Sequence, residues 1–131
     1  MNRGDAIHAG GAPKAVGSYP HARKVGNLLF LSGIGPRAPG TDAIPEGIEA
    51  QSRAVFANVR AVLEASGARW EDLVDVTVFL TDMAGDFRAY NAVWAEHFPD
   101  PAQAPCRTTV GITALPTPIA IELKCIAVAR G

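Results

Sequence analysis

Cysteine is scarce in this chain: Cys106 and Cys125 are the only two in 131 residues. They make neither a disulfide framework nor a CxxC metal or redox motif, so two free thiols in a reducing cytoplasm are expected. Long apolar runs are missing too. None reaches the roughly 18 residues that a membrane-spanning helix needs, and the opening MNRGDAIHAGGAPK has no apolar segment of the secretory-signal type. Nor is charge of one sign concentrated anywhere. Twelve Lys and Arg against 13 Asp and Glu leave a net charge of −1, without the basic patch that a nucleic-acid binder uses to neutralise phosphates. The three histidines, His8, His21 and His97, form no HxH or HxxxH pair, which leaves a metal site without support. There is no phosphate-cradling glycine loop and no GxSxG elbow. Chemistry on this chain must come from carboxylate, guanidinium, hydroxyl and backbone groups, and no cofactor is expected.

Apolar residues make up 48% of the chain, but 23 of them are alanine, so the larger side chains available for a core are modest in number. Residues 1–13 are rich in Gly and Ala without a period and read as a mobile arm; residues 14–131 read as a single domain. HARKV-GN-LLFLS has strand-like flanks around a two-residue turn, the pattern of a β-hairpin, with Leu28–Ser32 as a buried strand. Four glycines and three prolines between Gly33 and Gly47 forbid a regular element there. A helix follows over 48–66, with Val55, Phe56, Val59, Val62 and Leu63 on one face and Gly67 closing it. LVDVTVFL, residues 73–80, reads as a strand with Val74, Val76, Val78 and Leu80 on one side. A second helix over 83–98 starts at Asp82 or Asp86, shows Phe87, Tyr90, Asn91, Trp94 and Phe98 along one stripe, and stops at Pro99. Strands over 107–113 and 119–129 complete the order β-β-α-β-α-β-β.

Two helices cover one face of a five- or six-stranded mixed sheet and leave the other bare. In the last strand Ala120, Glu122, Lys124, Ile126 and Val128 point to that second face, which is half apolar. Such a surface is expected to be covered by other copies of the chain, with clefts between subunits.

Glu122 stands out because an ionisable carboxyl sits within PIAIELKCIAVA on that face. Either a basic residue pairs with it across an interface, or it is a proton shuttle and water activator with a raised pKa. Arg107 opens a strand after a proline-bounded loop, where its guanidinium is either solvated or placed to grip a carboxylate. Tyr19 is either a core aromatic or a hydroxyl facing a ligand. Ser32-Gly33 ends a strand where backbone N–H groups become free, a place to stabilise developing negative charge or simply to turn.

AVGSYPHARKVGNLLFLSG, NVRAVLEASG, DLVDVTVFLTD, CRTTV and LPTPIAIELKCIAVA together resemble the RidA/YjgF family of enamine and imine deaminases, over nearly the whole chain from about residue 14. The resemblance implies an α+β, chorismate-mutase-like subunit assembled as a homotrimer with sites between neighbours. It implies that Arg107 binds the substrate carboxylate, that Glu122 handles the attacking water, and that Tyr19, Ser32, Gly33, Thr109 and Asn91 line the site. Two departures occur. Ser32-Gly33-Ile34 stands where many members have SGQ, and Thr109 replaces a cysteine, which rules out a thiol nucleophile at that position. KAVGSYPHARKVGNLLFLSGIGPR and LPTPIAIELK look most like 2-aminomuconate deaminases of aromatic catabolism, whose substrate has a second carboxylate. Arg37, with His21 as the alternative, is the candidate cation for it. A general deaminase of reactive enamines and a non-catalytic 2-oxo acid sensor are the competing readings. The ribonuclease activity associated with some members fits poorly with a charge of −1.

Overall fold

The computed structural model describes residues 3–129. Six strands form one mixed sheet: β1 (Asp5–Ile7), β2 (Ala22–Val25), β3 (Leu28–Leu31), β4 (Leu73–Leu80), β5 (Cys106–Gly111) and β6 (Ile121–Val128), in spatial order β1-β2-β3-β6-β4-β5. Only β4 and β5 run parallel, and helix α2 (Met83–His97) is the crossover between them. Helix α1 (Ile48–Ala65) packs on β6 and against α2, so both helices lie on one face.

Local chemistry explains the helix ends. After α1, Gly67 takes φ 77°, while Ala68 N–H donates to Leu63 O and Gly67 N–H to Glu64 O, closing the last turn. At the start of α2, the Asp82 carboxylate accepts from Gly85 N–H at 3.0 Å. Between helices and sheet lies one core: Val55, Phe56, Val59, Val62 and Leu63 of α1 meet Leu29, Leu31, Val76, Val78, Leu80, Ile121, Leu123 and Cys125. Truncating one of these fully buried residues, for example Leu123→Ala, costs about 2–5 kcal/mol.

Three expectations need correction. The arm expected over 1–13 contributes β1, which pairs antiparallel with β2, and Ala9 and Ala12 are buried; small residues pack closely against the body of the domain without showing a period. The strand over 28–31 is buried on one side only, because Leu28 and Phe30 stay more than a third exposed on the bare face. Val74 does not share a face with Val76, Val78 and Leu80. Leu73 pairs with Ala127 and Asp75 with Ile126, so Val74 is the extra residue of a β-bulge and points outward.

Candidate functional site

The sheet register decides where the chemical groups point. Arg107 lies opposite Val76, a core residue, and so shares the helix-covered face; Glu122 lies opposite Phe79 on the bare face. Within one chain these two groups therefore occupy opposite sides of the sheet, and two half-sites result.

The first half-site is built by α2 and β5. The Arg107 guanidinium rests among Trp94, Tyr90 and Phe87, with its central carbon 4.9, 5.5 and 5.9 Å from their ring centroids. Its Nη1 donates to Asn91 Oδ1 at 2.8 Å and to the Tyr90 hydroxyl at 3.4 Å. Among the described residues no partner engages Nη2 or Nε, so one edge of the fork stays available for a carboxylate. Tyr90 is fully buried, and burial pushes its hydroxyl pKa up while Arg107 pulls it down; it remains a neutral phenol. Asn91 thus serves as the orienting acceptor of Arg107. Thr109 points the same way, opposite Val78, with its hydroxyl buried. Phe87, Tyr90 and Trp94 were legible only as an apolar stripe; a stripe ending beside an arginine-bearing strand gives no local sign that it seats a guanidinium.

The second half-site is a cleft of the bare face. Between the pairs Phe30–Ile126 and Ile34–Leu123 the chain takes four steps on one side and three on the other, which makes Ser32-Gly33 a bulge against β6. Ser32 is tied down: its hydroxyl donates to Pro20 O at 2.7 Å and its N–H to His21 O at 2.9 Å. Gly33 leaves the space that Glu122 occupies, since a Cβ at position 33 would lie 2.7 Å from Glu122 Oε1. Glu122 is half-buried, and loss of hydration raises its pKa. Among the described residues no cation pairs with it. Tyr19, Gly33, Gly35, Arg37 and Thr117 line the cleft with Glu122. Tyr19 is 41% exposed and so is not a core aromatic, and its hydroxyl accepts from Val16 N–H at 3.3 Å.

The two cations proposed for a second carboxylate are both engaged. Arg37 reaches the cleft, but Nη1 pairs with Asp42 Oδ1 at 2.7 Å and Nη2 donates to Lys14 O at 2.6 Å. His21 accepts from Ala9 N–H through Nδ1 at 2.9 Å, and its Nε2 lies 2.7 Å from Pro13 O. With both ring nitrogens engaged, His21 braces the segment after β1. Of the two thiols, Cys106 is exposed at the start of β5, while Cys125 is buried and its pKa is pushed up to about 12. The buried thiol is unreactive.

This arrangement of elements is shared widely. A solved structure of the YjgF gene product from E. coli superposes with a TM-score of 0.88 at 35% identity, covering 96% of this chain and 99% of that one. E. coli TdcF with bound serine superposes at 0.87, with 34% identity over 95% and 98%. The chloroplastic Reactive Intermediate Deaminase A of Arabidopsis thaliana is 41% identical over 117 residues, which are 88% of this chain and 61% of the plant protein. The profile of the family described as Endoribonuclease L-PSP matches residues 9–129. With Glu122 beside the Gly33 bulge, Arg107 seated on α2, and this likeness running through the six-stranded sheet that carries both, the chain belongs to that family, the RidA/YjgF proteins.

Proposed function

We propose that this chain is a hydrolytic deaminase of enamines and imines derived from 2-amino acids, with each working site assembled from two copies. The carrying observation is the separation of Arg107 and Glu122 onto opposite faces of the sheet, each left with unfilled capacity. Leu28, Phe30, Val74 and Val128 supply apolar surface on the bare face for a neighbouring copy to cover, in keeping with the homotrimer that the family resemblance implies. The deaminase relative and the serine bound to TdcF support a small carboxylate-bearing substrate.

In the proposed reaction the enamine tautomerises to the imine, water adds to the C=N carbon, and the resulting carbinolamine expels ammonia to leave a 2-oxo acid. The free edge of Arg107 holds the carboxylate adjoining that carbon and fixes its orientation. Glu122 takes a proton from the attacking water and returns one to the departing nitrogen, a task that suits a carboxyl whose pKa burial has moved towards neutrality. In this scheme the backbone N–H of Gly33, whose residue packs against Glu122, would steady charge on the adding oxygen. The test is ammonia release from a freshly generated 2-iminopropionate-type substrate, measured against spontaneous hydrolysis. Wild-type acceleration with loss in both Arg107→Ala and Glu122→Gln is expected; unchanged rates in both variants would remove the site.

The narrower reading, 2-aminomuconate as substrate, depends on Arg37. A second carboxylate buried without a cation is costly, and among the described residues Arg37 is the cation that lines the cleft with Glu122. Its partner Asp42 is 62% exposed, so the pair can open towards solvent as a dicarboxylate enters. Arg37→Ala should then weaken turnover of the dicarboxylate about tenfold or more while sparing a monocarboxylate. Equal effects on the two substrates would return the assignment to general enamines and imines, and unaltered binding of 2-oxo acids without any ammonia release would favour a sensor.

A further inference from the structure

The cleft wall between Gly33 and Gly47 has no regular structure of its own, and besides the Ile34–Leu123 bridge and the bonds of Arg37 it is tied to α1 by a pair of buried amides. Asn58 is 5% exposed, and its Nδ2 donates to Gly35 O and to Arg37 O, both at 2.9 Å, across more than 20 residues of sequence. Two carbonyl acceptors at one end of an amide require the NH2 group there, so the orientation is determined by chemistry. One turn-pair earlier on the same face, Gln51 is 7% exposed; its Nε2 donates to Pro45 O at 3.0 Å and its Oε1 accepts from Ala120 N–H at 2.8 Å. Residues 51, 55, 58 and 62 follow helical spacing, which puts both amides among the valines of the core-facing stripe.

We infer that Asn58 is a positioning residue for the proposed deaminase site: it holds the Gly35-Pro36-Arg37 segment so that Gly33, Arg37 and Tyr19 stand at fixed places around Glu122. This rests on the deaminase reading and adds to it the source of the cleft's preorganisation. The loop cannot find its place by side-chain packing alone. Gly35 offers no side chain, and the chain approaches so closely there that a Cβ would lie 2.9 Å from Ile119 Cδ1. Without the two donors, Gly35 O and Arg37 O must seek water, and the segment has to shift outward to reach it. A loop that spends only part of its time in the competent arrangement lowers apparent substrate affinity by that fraction, while a saturating substrate still selects the productive form.

Asn58→Asp keeps the shape but removes the donor, and Asn58→Leu does the same without adding charge. Val59→Ala, next along α1 and fully buried, is the control for stability loss alone. Amide hydrogen exchange is read at Ala38 and Asp42, whose N–H groups donate to Ala43 O and Ala38 O within the loop, alongside KM and kcat for the imine substrate. Both Asn58 variants should exchange faster at those amides and raise KM about tenfold with kcat nearly constant, whereas Val59→Ala should do neither. Unchanged exchange in the Asn58 variants, faster exchange with unchanged KM, or the same KM rise in Val59→Ala would each overturn the inference. A wild type that released no ammonia would sink the deaminase reading alone, and the exchange comparison would still decide whether Asn58 holds the loop.

Discussion

The two half-sites solve opposite problems. On the helix-covered face, a permanently charged guanidinium is laid on three aromatic rings and one amide oxygen, so its orientation is set before any ligand arrives. On the bare face, a carboxyl is half-buried without a cation, so its charge is unsettled rather than its position. Arginine tolerates such seating because it stays charged and its planar fork keeps donors to spare. A carboxylate with a partner would lose the basicity that proton transfer needs. On the proposed reading the difference teaches that binding and proton handling are separated in one chain, and with the sheet between them the two would meet only between copies.

The largest effect comes from setting the half-sites against each other. Arg107→Ala should lower kcat/KM by the equivalent of about 2–5 kcal/mol, leaving the far-ultraviolet circular dichroism spectrum unchanged, and Glu122→Gln should lower kcat by roughly 10²–10⁴ with little change in KM. Co-assembled, the two dead variants should regain activity approaching about a quarter of wild type, because in a cyclic oligomer a random neighbour pair supplies both intact halves that often. No recovery after verified subunit mixing would place both groups in one chain's site.

An intermediate effect is expected in the pH dependence of turnover. Burial raises the Glu122 pKa, and the proton-accepting form is the ionised one, so the acid limb of kcat should lie above the ordinary carboxylate value of roughly 4.3. That limb should vanish from the residual activity of Glu122→Gln and persist in Arg107→Ala.

The smallest effect is on stability, and its sign distinguishes the two carboxyl environments that burial and pairing would create. Because the folded-state pKa of Glu122 is raised, the native protein holds more protons than the unfolded chain between the ordinary and the raised value. Stability therefore falls as pH rises through that window and stays lower at neutral pH. Glu122→Gln should raise Tm slightly at pH 7, and the gap should close as pH drops below the ordinary carboxylate range. A lower Tm in the variant at pH 7 would mean that the carboxylate has a stabilising partner in the assembled protein.

Much of this could be read along the chain. The helical stripes, the Gly67 and Asp82 caps, the alternation in β6 and the residues of the family resemblance are all local patterns, each carried within one element. The cleft residues Tyr19, Gly33 and Glu122 each stood out singly with alternatives open, and only the family resemblance joined them in one site. The hydrogen bonds that engage His21 and Arg37 were not legible, because their partners, Ala9, Pro13, Lys14 and Asp42, lie in segments without periodicity. Asn58 and Gln51 left a legible sign, polar residues inside an apolar stripe, although nothing local says which distant carbonyls they serve.

Sequence by itself determined which segments become helix or strand, β1 excepted, and which residue types are available for chemistry, since propensity, periodicity and capping act over three or four neighbours. Tertiary structure alone decided the faces of β5 and of the residues beside the bulges. CRTTVG has no apolar alternation to show which side Arg107 takes, and the bulges at Val74 and at Ser32-Gly33 each move the following side chains by one step. Strand register is a contest between pairings many residues apart, and with a side-chain period of two a single extra residue sends a group to the opposite side of the sheet.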